Sequence, residues 1–209
     1  MAPFVVNQAA VREFKTPAAL QKWYRANHAK ADELWIKIHK KGSGLASVTP
    51  AEALDVMLCW GWIDGVRNGF DEKSYLQRYS PRRAKSVWSQ INRDHVARLI
   101  KAGRMTAAGQ KQIDLAKADG RWDAAYAPIR KVSADSLPPD LMRAIQANPR
   151  AKATFEQLNR QNLFSLVFRT NNMKTPEGRA RKIETLVAML ARGETVAPQK
   201  LAAKKRGRA

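Results

Sequence analysis

The feature that most constrains the fold is a change of pattern at a proline-containing stretch, residues 127–139. Before this stretch, helical patterns of apolar side chains alternate with strand patterns of period two, whereas after it every pattern is helical. Prolines with serine and aspartate between them are typical of a linker. The sequence therefore predicts an α+β domain over residues 1–126 and a helical C-terminal unit over residues 140–193.

The N-terminal domain is predicted to contain a small antiparallel sheet packed with helices. Residues 33–40 alternate apolar and polar side chains, which is typical of a half-buried strand. Extended segments are also expected at residues 62–65 and 74–80. A threonine followed by a proline, which caps and starts a helix, recurs at positions 16, 49 and 175. Together these patterns indicate the fold class α+β.

Basic residues dominate the chain: 38 Lys and Arg face 18 Asp and Glu, a formal net charge of +20. Such a charge favours polyanions, such as nucleic acid, anionic lipid headgroups or phosphorylated metabolites, although it also serves solubility alone. Residues 194–209 contain few apolar side chains, which predicts a basic disordered tail. The tail residues that would contact phosphates are Lys200, Lys204, Lys205, Arg206 and Arg208.

Several classes of protein are excluded by what the sequence lacks. One cysteine cannot form an intramolecular disulfide or a thiolate zinc finger, and the three histidines show no metal-ligand spacing. The sequence contains no phosphate-binding loop, dinucleotide fingerprint or zinc-protease motif, so no metal or cofactor is expected. The longest apolar run, residues 56–63, is far shorter than the roughly 18 residues of a membrane span. The N-terminal residues do not read as a secretory signal, so the expected location is the cytoplasm.

A cluster of basic side chains forms the main candidate site. Four of them lie within eight residues, where a predicted strand ends and a helix begins: Arg78, Arg82, Arg83 and Lys85. Guanidinium groups and the free backbone N–H groups of a helix N-terminus both bind anions. The alternative is that some of these arginines pair with Asp64 or Asp71 while the rest are solvated.

Neighbouring residues are predicted to line or brace the same site: Trp62, Asp64, Trp88, Ser89 and Asn92. The tryptophans would form a stacking wall for a ligand or, alternatively, part of the core. Asp64 would be a general base or ligand-orienting carboxylate or, alternatively, one half of a buried ion pair. Ser89 and Asn92 are interpreted as helix-cap residues, because His95 lies almost two turns from Ser89. Cys59 is interpreted as an inert core thiol.

Six segments of the N-terminal domain have a distinctive sequence. They read TPAALQKW (16–23), LWIKIHKK (34–41), ALDVMLCWGWIDG (53–65), QRYSPRRAKSVWSQIN (77–92), GRMTAAG (103–109) and AKADGRW (116–122). Their order resembles the YdeI/OmpD-associated family, also called bacteriocin-protection proteins, closely over about residues 12–126 and in part over the C-terminal helices. The resemblance implies a bacterial protein associated with tolerance of antimicrobial peptides and with envelope or acid stress. It implies no settled enzymatic reaction and no required cofactor.

The sequence therefore predicts a cytoplasmic, non-enzymatic stress-protection protein that binds an anionic ligand at a basic-aromatic site. One alternative is a non-specific nucleic-acid-binding protein driven by the +20 charge and the tail. Another is an enzyme acting on a small anionic substrate, which would need Asp64 to be partly buried in a pocket.

Overall fold

Two sets of elements follow each other along the chain, and the computed structural model describes them over residues 5–202. The chain divides into two compact units, Met1–Ala125 and Tyr126–Ala209. The elements of the first unit are β1 (Val11–Glu13), α1 (Pro17–Asn27), β2 (Leu34–His39), α2 (Pro50–Cys59), β3 (Trp62–Gly69), β4 (Ser74–Pro81), α3 (Gln90–Lys101) and α4 (Ala107–Ala118).

The first unit contains a four-stranded sheet in the order β1-β2-β4-β3. The pairs β2–β4 and β3–β4 are antiparallel, as predicted. Strand β1 was not predicted and pairs parallel to β2, with Val11 opposite Trp35, so the sheet is mixed rather than antiparallel throughout. Three residues are too few to show a period-two pattern, so β1 could not be predicted from its residues. The predicted α+β class is confirmed.

Side-chain caps explain where the helices of this unit begin. The hydroxyl of Thr16 accepts a hydrogen bond from the backbone N–H of Ala19 at 3.2 Å, and a proline occupies the first turn of α1. Thr49 and Glu52 form a reciprocal capping box at the start of α2. These contacts satisfy N–H groups that have no partner inside a helix, so the local sequence alone fixes both starts.

The core of the first unit lies between the sheet and its helices. Leu34, Ile36 and Ile38 of β2 are fully buried there together with Tyr24 of α1 and Met57 of α2. The expectation that β2 is half-buried was wrong at Trp35, which lies on the opposite face of the strand and has no exposed surface. The period-two pattern shows which side chains share a face, but not whether the second face is covered.

The second unit is helical, as predicted. Its helices are α5 (Pro139–Gln146), α6 (Pro149–Phe155), α7 (Arg160–Asn171) and α8 (Pro176–Ala191). They bury a core that includes Leu141, Ile145, Leu166 and Leu190. Residues 127–139, expected to be a linker, contain two 3₁₀ helices, Ile129–Lys131 and Ala134–Ser136. None of the described helices has the length and apolar character to cross a membrane.

The first part of the segment predicted as a tail makes hydrogen bonds to the second unit. The buried amide of Asn162 accepts a hydrogen bond from the N–H of Ala197 at 2.8 Å and donates to the side chain of Gln199 at 2.9 Å. Gln199 also accepts from the N–H of Asn159 at 2.9 Å. Side-chain amides hold this segment together with Val196, which packs against the core of the second unit. Lys204, Lys205, Arg206 and Arg208 lie outside the described residues.

Candidate functional site

The predicted basic cluster lies on the loop that joins β4 to α3. Two serines fix this loop. Ser86 accepts a hydrogen bond from the N–H of Arg83 at 2.9 Å and returns one from its own N–H to the carbonyl of Arg83 at 2.9 Å. Ser89 caps α3 by accepting from the N–H of Asn92 at 3.1 Å. The loop therefore has a defined course, with Arg83 and Lys85 exposed along it.

Arg82 is a buried cation under this loop rather than an exposed ligand contact. Its side chain is 6 % exposed, and its guanidinium carbon lies 3.5 Å from the ring centroid of Trp88. It also donates a hydrogen bond to the carbonyl of Val87 at 3.2 Å. A guanidinium stacked on an indole is a stabilising cation–π contact. Arg82 thus stabilises the position of Trp88 and of the loop from the interior of the unit.

A second tryptophan extends this cluster toward solvent. The rings of Trp88 and Trp122 meet edge to face, with centroids 4.9 Å apart. Trp88 is buried, whereas Trp122 is half-buried. Arg93 places its guanidinium 5.1 Å from the Trp122 ring and donates to the Trp122 carbonyl at 2.8 Å. The ammonium of Lys117 lies 5.7 Å from the same ring.

Arg121 connects the end of α4 to the basic loop. It donates to the carbonyl of Ser86 at 2.9 Å and pairs with Asp119 at 2.7 Å. The exposed and half-buried side chains around the loop form one feature, which we call the basic-aromatic surface: Arg83, Lys85, Arg93, Lys117, Arg121 and Trp122. Sequence reasoning missed its last four members because they come together only in the fold. Three of these four residues, Lys117, Arg121 and Trp122, lie in the segment AKADGRW, which contributed to the family resemblance.

Other predicted site residues lie elsewhere or serve as support. Arg78 forms a 2.6 Å ion pair with Glu33, in which both side chains are largely buried. Trp62 belongs to the core: it is 1 % exposed, its indole donates to the carbonyl of His28, and its ring packs on Tyr24. Ser89 and Asn92 are buried in the first turn of α3 and brace the loop from inside. None of these residues belongs to the basic-aromatic surface.

Asp64 is exposed on the edge strand β3, so the expected buried ion pair with an arginine is not formed. It lies opposite Tyr79 in the sheet, next to a bulge between Asp64 and Arg67. Burial, with a smaller contribution from the Asp64 charge, raises the pKa of Tyr79 well above its usual range. The partly buried carboxylate on which the enzyme alternative depends is therefore absent at this position.

A second charged cluster joins α2 to α3 and was also missed. Asp55 accepts hydrogen bonds from Nδ1 of His95 at 3.0 Å and from Arg98 at 2.6 Å, and Arg104 lies 3.7 Å from its other oxygen. Partial burial opposes ionisation of Asp55, but the bonds from Arg98 and His95 outweigh it and lower the pKa of this carboxyl. The bond between Asp55 and His95 joins two different helices, and such a contact leaves no local pattern in the sequence.

The part of the chain that the structure describes contains no candidate metal centre, and its one cysteine is not a reactive thiol. Within residues 5–202, no three His, Cys, Asp or Glu side chains are grouped so that they could hold a metal ion. Cys59 is 1 % exposed, and burial raises the pKa of its thiol. A thiol with a raised pKa is protonated at neutral pH and is a poor nucleophile, in agreement with its interpretation as a core residue.

Comparison with known protein families gives two matches, one in each unit. Residues 136–193 match the sequence model of a family described as bacteriocin-protection, YdeI or OmpD-associated. Residues 12–112 match a domain of unknown function. No curated protein and no solved structure matches the chain. The predicted family resemblance is confirmed, but the match lies on the C-terminal helices, whereas the closer resemblance was expected over about residues 12–126.

Proposed function

The protein carries a domain of the bacteriocin-protection, YdeI or OmpD-associated family in its C-terminal unit, and from this premise we propose that it protects bacteria by binding an anionic ligand. We place the binding at the basic-aromatic surface of the N-terminal unit and the protein in the cytoplasm. The observation that carries the proposal is the Trp88–Trp122 pair, which brings cations from three separate segments together. The binding is non-enzymatic in this proposal.

Preorganisation of the cations supports the proposal. Arg93 is held by the carbonyl of Trp122, and Arg121 is held by the carbonyl of Ser86. A guanidinium has five N–H donors, so a nitrogen used on a protein carbonyl leaves others to donate to a ligand. Side chains that are already ordered lose little conformational entropy when a ligand binds. The surface therefore favours an anion with several acceptor oxygens, to which guanidinium groups donate strong hydrogen bonds.

The first test is calorimetric titration with inorganic tripolyphosphate at about 0.15 M salt. The variant Arg83→Gln/Lys85→Gln removes two exposed cations from the surface. Its matched control, Lys22→Gln/Arg25→Gln, removes the same charge from exposed positions of α1. Because hydrogen bonds to charged groups contribute about 1.5–3 kcal/mol, the first variant should bind at least about tenfold more weakly and the control like the wild type. Equal weakening in both variants would mean that net charge alone determines binding.

The nucleic-acid alternative is distinguished by its dependence on salt and on the tail. Residues 126–209 have a formal net charge of +11, of which four charges belong to residues 203–209. A non-specific binder would bind single-stranded RNA with an affinity that falls steeply with salt, and loss of residues 203–209 would flatten that slope. In our proposal, tripolyphosphate binding does not depend on residues 203–209.

A further inference from the structure

A cleft in the N-terminal unit lies apart from the basic-aromatic surface, between α1, α2 and the turn that follows α3. Its volume is about 390 Å³, within the range of roughly 300–1,000 Å³ that is usual for small-molecule sites. Its apolar lining comes from Pro17, Ala18, Val56 and Cys59, and its polar lining includes Gln21 and Arg104.

The two polar side chains of the cleft are both oriented as donors. The indole N–H of Trp60 donates to Oε1 of Gln21 at 3.2 Å, which fixes the amide and leaves its NH₂ group as the available end. Among the described residues, that NH₂ group has no protein acceptor. Arg104 has no acceptor capacity at all, because a guanidinium only donates. A ligand that fits this lining must therefore present acceptor oxygens.

Arg104 also has positive charge that its neighbours only partly compensate. Its one ion-pair partner among the described residues, Asp55, lies 3.7 Å away and already accepts short bonds from His95 and Arg98. One carboxylate thus faces two guanidinium groups. The side chain of Arg104 is 45 % exposed, so it can reach a ligand at the mouth of the cleft. A single surplus charge matches a singly charged anion better than a polyphosphate.

We propose that this cleft binds a small organic monoanion, a carboxylate carried on an apolar body. The guanidinium of Arg104 and the NH₂ group of Gln21 donate to the carboxylate, because a guanidinium matches both carboxylate oxygens. The apolar body lies mainly on Pro17 and Ala18, above the buried side chains of Val56 and Cys59, and is thereby removed from water. The site differs from the basic-aromatic surface in having one surplus cation and an apolar floor, and it does not depend on the proposed function.

Titration with octanoate tests this site, with octanamide as the neutral analogue of the same shape. The indole N–H resonance of Trp60, assigned by its loss in Trp60→Phe, reports on the Gln21 contact in a ¹H–¹⁵N spectrum. We expect octanoate to shift it saturably and octanamide to bind at least about tenfold more weakly, since the charged hydrogen bonds are lost. The absence of a saturable shift with octanoate, or equal binding of octanamide, would overturn the proposal.

Two variants locate the binding within the cleft. Arg104→Gln should weaken octanoate binding at least about tenfold. Lys101→Gln, which removes the same charge three residues away at an exposed position, should leave it unchanged. Ala18→Phe fills the mouth of the cleft from an exposed position of α1 and should abolish octanoate binding while tripolyphosphate binding is retained. Octanoate binding that survives both Arg104→Gln and Ala18→Phe would place the ligand elsewhere and refute the site.

Discussion

Replacing Gly109 with alanine is predicted to destabilise the N-terminal unit by about 2 kcal/mol. Gly109 lies in the first turn of α4, where this helix packs against the end of α2. A Cβ atom at this position would overlap the carbonyl oxygen of Cys59 and lie 2.8 Å from its carbonyl carbon. Because these are backbone atoms, no side-chain rotation relieves the overlap, and the two helices must move apart.

The magnitude follows from two opposing effects. Overpacking a tight contact costs about 1–3 kcal/mol, and the cost here lies near the top of that range because the Sδ atom of Met105 is also 2.5 Å from the added carbon. Alanine in place of glycine stabilises a helix by roughly 0.5–1 kcal/mol. The difference is a net loss of about 2 kcal/mol. The same displacement would move Cys59, which lines the cleft between α1, α2 and the turn that follows α3.

Urea unfolding followed by tryptophan fluorescence measures this loss in the relevant unit. All six tryptophans lie in the N-terminal unit: Trp23, Trp35, Trp60, Trp62, Trp88 and Trp122. Gly69→Ala is the matched control, because a Cβ atom at Gly69 meets no atom within 4 Å. The control should stay within about 0.5 kcal/mol of the wild type. If Gly109→Ala proved as stable as the control, the packing of α4 on α2 would be wrong.

Two further predictions concern the charged cluster and the tail. Asp55→Asn removes the negative charge from the acceptor of His95 and Arg98 and should lower the stability of the N-terminal unit by about 1–2 kcal/mol at neutral pH. Because those bonds lower the pKa of Asp55, they stabilise the fold above its ordinary value of 3.8, and this contribution is lost as the pH falls through the lowered pKa. The difference in Tm between the wild type and Asp55→Asn should therefore disappear at pH values below the lowered pKa of Asp55. A difference that persisted there would contradict the claim that the ionised form of Asp55 stabilises the fold. Gln199→Ala removes three of the hydrogen bonds that tie the segment around Lys200 to the second unit and should speed tryptic cleavage at Lys200 about tenfold, whereas Gln146→Ala on α5 should not change it. Equal cleavage rates would mean that Gln199 does not hold this segment.

Elements determined by local chemistry could be predicted from the sequence, and contacts between distant elements could not. The starts of α1 and α2 follow from Thr16 and Thr49, whose side chains act within three residues of the helix end. The Trp88–Trp122 contact joins residues that are far apart in the sequence and leaves no periodic pattern. The same holds for the bond between Asp55 and His95, which lie on different helices.

The prediction for Asp64 failed for a specific physical reason. A carboxylate that directly follows an apolar run was expected to share the burial of that run. Strand β3 is an edge strand, however, and a bulge between Asp64 and Arg67 breaks its register. An edge strand with a bulge turns away from the sheet and exposes its side chains. Arg78, one of the arginines offered as a partner for Asp64, pairs instead with Glu33, the residue before β2.

The most direct test of the account is a survival assay in bacteria challenged with a bacteriocin to which the host is sensitive. Cells would express the wild type, Arg83→Gln/Lys85→Gln or the control Lys22→Gln/Arg25→Gln at equal protein levels. We expect the wild type and the control to protect the cells and the variant of the basic-aromatic surface not to protect them. Equal protection by all three proteins would contradict the claim that protection acts through this surface.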